Sequence, residues 1–341
     1  MKQCSRCNHL NSDMANYCGS CGASLDIDID TVSGGASCVS QKTVESRKPQ
    51  DVVFQNTAFQ STAHERGKPR FSSVLKALAY VALFLAVQLA VTFAVSFVFG
   101  ITAAYLYGYG STDDVLELYY SISDYVQIGI CWLVLTVLTF FFLARHKNPA
   151  VELGLTKCPV KAVLLGAVFG YFANIVLTFM ISVIPWPESF FSDLSEKYDS
   201  VGAGGNLIIT ILSISVLTGL VEEIIFRRLV LTRLSRGFGV VFCCVFSAVI
   251  FGLVHGTPIA IFYAAVFGLF LAPICLKYDS VLPSAAAHMA FNLFGVTALM
   301  PSNPMLFFAF SVLSSALATL SYYFLMRSKP QTEIKSEYKN L

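Results

Sequence analysis

The chain is 341 residues long, 55% hydrophobic and only 13% charged, with a mean hydropathy of +0.66. Soluble domains carry about twice that charged fraction, so the composition excludes an ordinary soluble protein and defines an all-α polytopic membrane protein. A net charge of +2 supplies no bulk electrostatic reason to expect a nucleic-acid partner.

The N-terminus opens with cysteines, where a secretory signal would place a basic stub and an apolar core. Cys4-x-x-Cys7 and Cys18-x-x-Cys21 form a doubled knuckle whose four thiolates suit one tetrahedral Zn²⁺, a structural cofactor. Residues 1–25 are too few to bury a core, so the metal would supply the folding energy. The module resembles the short zinc-ribbon at the N-terminus of many bacterial membrane proteins. The other cysteines (Cys38, Cys131, Cys158, Cys243, Cys244, Cys275) are scattered and make no disulfide framework. Residues 26–70 are polar and aperiodic and read as a disordered tether. On such a tether the zinc module could recruit a protein partner or substrate. Lys2 and Arg6 alone make too thin a basic patch for nucleic acid.

Residues 71–328 hold eight apolar segments: Val74–Phe99, Val126–Ala144, Val160–Ile184, Leu207–Leu231, Val240–Val254, Ile259–Leu276, Val281–Leu299 and Met305–Met326. Most reach the ~20 residues a spanning helix needs, which predicts about eight transmembrane helices; the fifth is short. Basic residues collect before the first segment and after the second, fourth, sixth and eighth, whereas Asp113, Asp114, Glu117, Asp124, Glu188 and Asp193 occupy the alternate loops. By the positive-inside rule both termini, including the tail 329–341, are cytoplasmic in a multi-pass cell-membrane protein.

The run Val221-Glu222-Glu223-Ile224-Ile225-Phe226-Arg227-Arg228 sets four charges in an otherwise apolar helix. A charge at the bilayer centre costs at least ~2.5–3.5 kcal/mol, so such groups persist where they pair or face a polar cavity. Glu223 and Arg227 are four apart and share a helix face; Glu222 points about 100° away and is left for chemistry. His255 ends the fifth segment, and His288 and Asn292, again four apart, lie in the seventh. Counting from the cytoplasmic turns at 1.5 Å per residue puts Glu222 and His255 at ~22 and ~27 Å, but His288 at only ~16 Å, so His288 must come from a tilted or lower helix.

Glu-Glu-x-x-x-Arg, Phe-x-x-x-His and His-x-x-x-Asn, in this order on separate helices, resemble the CPBP family of intramembrane proteases over about residues 160–300. That family includes type II CAAX prenyl endopeptidases and bacteriocin self-immunity proteins. The resemblance implies a helical bundle with a cavity open to the membrane and a peptide or protein substrate, prenylated in the CAAX-type members. It implies Glu222 as general base, with His255 holding the water. Glu223 and Arg227 would order the site, and His288 and Asn292 would stabilise the oxyanion. Arg228 stands where relatives commonly have glycine, and the sequence gives it no role. The family is conventionally called a metalloprotease. One Glu and two His could hold Zn²⁺, but the one-helix signature H-E-x-x-H is absent, and a metal-free glutamate mechanism suits the same residue types. Two other readings compete: a proton-coupled transporter, for which no internal repeat is found, and an idle membrane scaffold or immunity protein, which has no use for buried charges.

Overall fold

The computed structural model describes residues 2–3, 10–11, 71–107, 112–191, 206–235, 237–297 and 301–329. The chain divides into two units, Met1–Val52 and Val53–Leu341. In the first, β1 (Lys2–Gln3) pairs antiparallel with β2 (Leu10–Asn11), Lys2 opposite Asn11 and Gln3 opposite Leu10. Cys4, Cys7, Cys18 and Cys21 lie outside the described residues, as do the tether and the tail beyond 329.

The described residues of the second unit are helical and follow the apolar segments. They form α1 (Phe71–Tyr107), α2 (Thr112–Leu143), a one-turn α3 (Pro149–Glu152), α4 (Val160–Val183), α5 (Leu207–Leu234), α6 (Val240–Leu253), α7 (Pro258–Tyr278), α8 (Leu282–Thr297) and α9 (Pro304–Arg327). Of the eight expected spanning helices, six among the described residues are long and apolar enough to cross a membrane: α1, α2, α4, α5, α7 and α9. α6 has 14 residues and α8 has 16. At 1.5 Å per residue these rise only ~21 and ~24 Å against a hydrocarbon core of ~30 Å. α8 is covered by its neighbours, α6 leaves Val241, Val245, Val249 and Leu253 exposed on one face, and both carry site residues.

Small residues decide how α8 is held. On α4, Gly166, Gly170 and Asn174 recur every four residues and meet Pro283, Ala287 and Phe291 at the same spacing on α8, so these helices run parallel. A Cβ on Gly166 would lie 2.3 Å from the Pro283 carbonyl oxygen, and one on Gly170 would lie 1.8 Å from that of Ala287. One turn on, the Asn174 amide donates to the Phe291 carbonyl at 3.0 Å. Within a bilayer, where the lipid is as apolar as the side chains, such close backbone approach is a main source of helix association. α6 and α7 form a second close pair, joined by a four-residue link in which Gly256 takes φ 85°. A Cβ on Gly252 would sit 2.7 Å from the Ile261 carbonyl oxygen.

α5 threads between these pairs and is not a uniform α-helix. Asn206 caps it, accepting from the N–H groups of Ile208 and Ile209. Two π-helical stretches, Ile211–Thr218 and Ile224–Val230, flank one α-helical turn, Gly219–Glu223. Widened turns of this kind occur often at functional sites. α1 packs antiparallel on α5: Arg233 donates to the Tyr80 hydroxyl at 3.3 Å, and Phe84 meets Phe226 edge-on at 6.4 Å between ring centroids. The rest of α1 presents Leu89, Phe93 and Phe97 outward, as a lipid-facing helix does.

Asp124, placed by sequence in an acidic loop, is instead buried within α2. It accepts from Thr210 at 2.5 Å and from Ser213 at 2.9 Å. Its charge breaks the apolar run in the sequence, but the two hydroxyls of α5 satisfy it in the fold.

Candidate active site

Glu222, His255, His288 and Asn292 line one cavity of about 290 Å³; Glu223 and Arg227 are not among its lining residues. Glu223 and Arg227 are fully buried, whereas the Glu222 side chain keeps 13% exposure. A single turn of α5 thus carries one glutamate into the packed interior and its neighbour to the cavity.

The buried side is a chain of charged and aromatic contacts. Arg227 Nε lies 3.5 Å from Glu223 Oε1, the i, i+4 pair expected from spacing. The guanidinium also lies over the Phe251 ring at 4.6 Å and approaches the Ser247 hydroxyl at 3.4 Å. Ser247 in turn donates to the Phe226 carbonyl at 3.0 Å. Gly268 makes room here, since a Cβ on it would stand 3.2 Å from Arg227 Nη2. The Phe251 ring meets His288 at 5.5 Å and His255 at 4.8 Å, both edge-on. The phenylalanine of Phe-x-x-x-His therefore separates the arginine from the two histidines.

His288 joins the two sides. Its Nδ1 lies 3.3 Å from Glu223 Oε1 and its Nε2 lies 3.6 Å from Glu222 Oε2. The depth mismatch counted from the sequence does not keep His288 from reaching the level of both glutamates. On the cavity wall, His255 Nδ1 lies 2.8 Å from the Phe251 carbonyl. A carbonyl only accepts, so Nδ1 carries the hydrogen and Nε2 of the neutral ring is the acceptor. Asn292 donates one amide N–H to the Ile214 carbonyl at 3.1 Å and has a second to offer.

Sequence reasoning missed other polar residues of this wall. Asn174, Thr218 and Gln88 also line the cavity. Thr218 accepts from Gln127 at 2.9 Å and donates to the Ser213 carbonyl five residues back at 2.9 Å. Gln88 and Asn174 are isolated polar residues in apolar segments, a signal open to the same reasoning that found the histidines. Arg228, left without a role, is placed at one end of the bundle. It pairs with Asp279 at 2.6 Å and donates to the carbonyls of Val151 at 2.8 Å and Glu152 at 3.4 Å.

The residues were also tested against the metal that the family's usual description implies. Both ring nitrogens of His288 face carboxylates, and among the described residues no three His, Cys, Asp or Glu side chains converge as ligands. The set does not fit a metal centre as it stands, and no step below passes through one.

Fold and site together define a multi-helix membrane protein with a buried Glu/His cluster opening on an internal cavity. Residues 204–294 match the family described as Rce1-like, type II CAAX prenyl endopeptidase, and this part of the chain carries a domain of that protease family. The match includes α5 to most of α8 and all six predicted site residues. No curated protein and no solved structure matches the chain.

Proposed function

We propose that this protein is an intramembrane endopeptidase that hydrolyses a peptide bond of a membrane-associated substrate, with prenylated CAAX-type peptides as the first class to try. The observation that supports it most is the division of labour on α5: Glu222 at the cavity, with Glu223 and Arg227 buried behind it and His288 between the two glutamates.

In this reading a water sits between Glu222 and His255 Nε2, each accepting one of its hydrogens. Glu222 takes the proton as the oxygen attacks the scissile carbonyl, then passes it to the departing amine. His288 sets Nδ1 against Glu223, and an Nε2–H would face the cavity side. The 3.6 Å to Glu222 is too long for a hydrogen bond and leaves that proton available. With the second N–H of Asn292 it would stabilise the oxyanion in a site from which bulk water is excluded.

The test is cleavage of a farnesylated CAAX peptide, beside its unprenylated counterpart, by the purified full chain in liposomes. The wild type should cleave and Glu222→Gln should bind without turnover. Equal cleavage by both proteins rejects the mechanism, and binding without turnover by the wild type favours an immunity or scaffold role. The N-terminal cysteines are proposed as a structural zinc site that docks a partner. Metal analysis of the full chain should return about one Zn²⁺, lost when Cys4 and Cys7 become Ser.

A further inference from the structure

α1 lies outside the family-matched segment 204–294 and sends a polar side chain into the cavity. Tyr80 meets Arg233 and Phe84 meets Phe226, so on this antiparallel pair the next turn of α1 brings Gln88 level with Glu222. Gln88 sits within the 35-residue apolar span Phe71–Tyr105. There an amide is costly unless it faces protein or a cavity.

Asn174, Thr218 and Asn292, also on this wall, each hold a hydrogen bond within the protein. Asn174 donates to Phe291 and accepts from Thr178, Thr218 is held by Gln127 and Ser213, and Asn292 donates to Ile214. The Gln88 amide makes no hydrogen bond to another described residue, so both its donor and its acceptor are open to whatever enters.

A peptide drawn into a cavity of about 290 Å³ walled by Phe84, Phe251 and Phe267 leaves water behind. Each of its main-chain N–H and C=O groups then needs a partner. A primary amide offers one face with a donor and an acceptor side by side, the complement of a peptide group. Resting on the proteolytic reading above, we propose that Gln88 is a substrate-binding residue. Its Oε1 accepts from, and its Nε2 donates to, the main chain of an extended apolar peptide beside the scissile bond. Recognition at this point is of backbone, so it tolerates varied side chains while requiring an unmodified amide.

The experiment uses the full chain in liposomes and the farnesylated CAAX peptide, together with a set of the same peptide N-methylated at one backbone position each. Gln88→Leu keeps the size and removes both polar groups. It should lower kcat/KM by about 3–10-fold, chiefly through KM, with melting unchanged or raised. One N-methyl position should cost the wild type a similar factor and cost Gln88→Leu nothing further, while the other positions penalise both proteins alike. Binding measured in a Glu222→Gln background should weaken by the same factor. If Gln88→Leu matches the wild type, or every N-methyl penalty is the same in both proteins, the inference falls alone. If Gln88→Leu melts earlier and loses rate uniformly across the set, Gln88 is structural and the inference also falls. A wild type that neither binds nor cleaves the peptide overturns the proteolytic reading and this inference with it.

Discussion

Glu222 and Glu223 are adjacent, chemically identical and differently surrounded. Glu223 is fully enclosed, facing Arg227 and His288; Glu222 faces the other ring nitrogen of His288 and lines the cavity. A buried ion pair is poor evidence for stability, because desolvation offsets most of the attraction. What the inner pair supplies is a fixed frame: Glu223 holds Nδ1 of His288, and the ring then stands beside the group that would act. The outer glutamate keeps the freedom to exchange a proton with a small molecule in the cavity. One turn of helix thus provides both the frame and the group proposed to react.

The largest expected effect separates the two glutamates by function. Glu222→Gln removes the proton acceptor and keeps the shape, so turnover should fall by at least ~10²–10⁴ while peptide binding and melting stay near wild type. The inner pair should behave in the opposite way. Arg227→Gln leaves the Glu223 carboxylate buried opposite no cation and should cost about 3–5 kcal/mol of stability, read as a fall in melting temperature or in membrane yield. Glu223→Gln combined with Arg227→Gln leaves no unpaired charge and should be milder than either single change. A double variant as unstable as the sum of the singles would show that the two charges are not a coupled pair.

A third change tests how the frame is carried to α8. Gly170→Ala puts a methyl group where the Ala287 carbonyl already lies, 1.8 Å from the new Cβ. α8 must then move away from α4, at a cost of about 1–3 kcal/mol for overpacking. Because His288 is the next residue, activity should fall more than this loss of stability accounts for. Comparing kcat with melting temperature decides it, and a variant that melts early but turns over normally when folded would detach the α4–α8 contact from the site.

The sequence made much of this legible because membrane helices announce themselves. Polar groups in apolar runs are costly, so Glu222, Glu223, Arg227, His255, His288 and Asn292 could be picked out one by one; four of them line one cavity, and Glu223 and Arg227 lie buried behind it. The same rule applied evenly would have found Asn174 and Gln88, which were passed over because no motif contains them. The expected eight spanning helices and the six long enough among the described residues differ for another reason. Hydropathy registers an apolar segment, but not whether it is 14 residues of helix, as in α6, or 24, as in α4. Asp124 misled in the other direction, since a lone carboxylate looks like loop until its partners, Thr210 and Ser213, are seen 86 and 89 positions away. The π-helical turns of α5 leave no trace in a pattern read at 3.6 residues per turn.

The smallest effect concerns Arg228, which extends the comparison from two glutamates to two arginines. Arg227 points inward to the frame; Arg228 points to the end of the bundle, where it joins Asp279 and the carbonyls of Val151 and Glu152. Asp279 ends α7 in a left-handed conformation, φ 47°, and Val281 donates its N–H to the Gly154 carbonyl at 3.0 Å just before α8 begins. Arg228 thereby ties the α3 turn and the entry to the His288 helix onto α5, without touching the cavity. Its partner Asp279 is largely solvent-exposed, so the ion pair is screened and contributes little; the forked donation to two carbonyls is what a lysine cannot copy. Arg228→Ala should therefore cost about 1–2 kcal/mol of stability. It should change kcat/KM by no more than about threefold, under 1 kcal/mol of barrier. Arg228→Lys, which keeps the charge and loses the fork, should melt near the alanine variant rather than near the wild type. Thermal melting and peptide cleavage measured on the same preparations decide between the two arginines. If Arg228→Ala abolishes turnover while the protein stays folded, the end of the bundle belongs to the site, and the boundary drawn between Arg227 and Arg228 is in the wrong place.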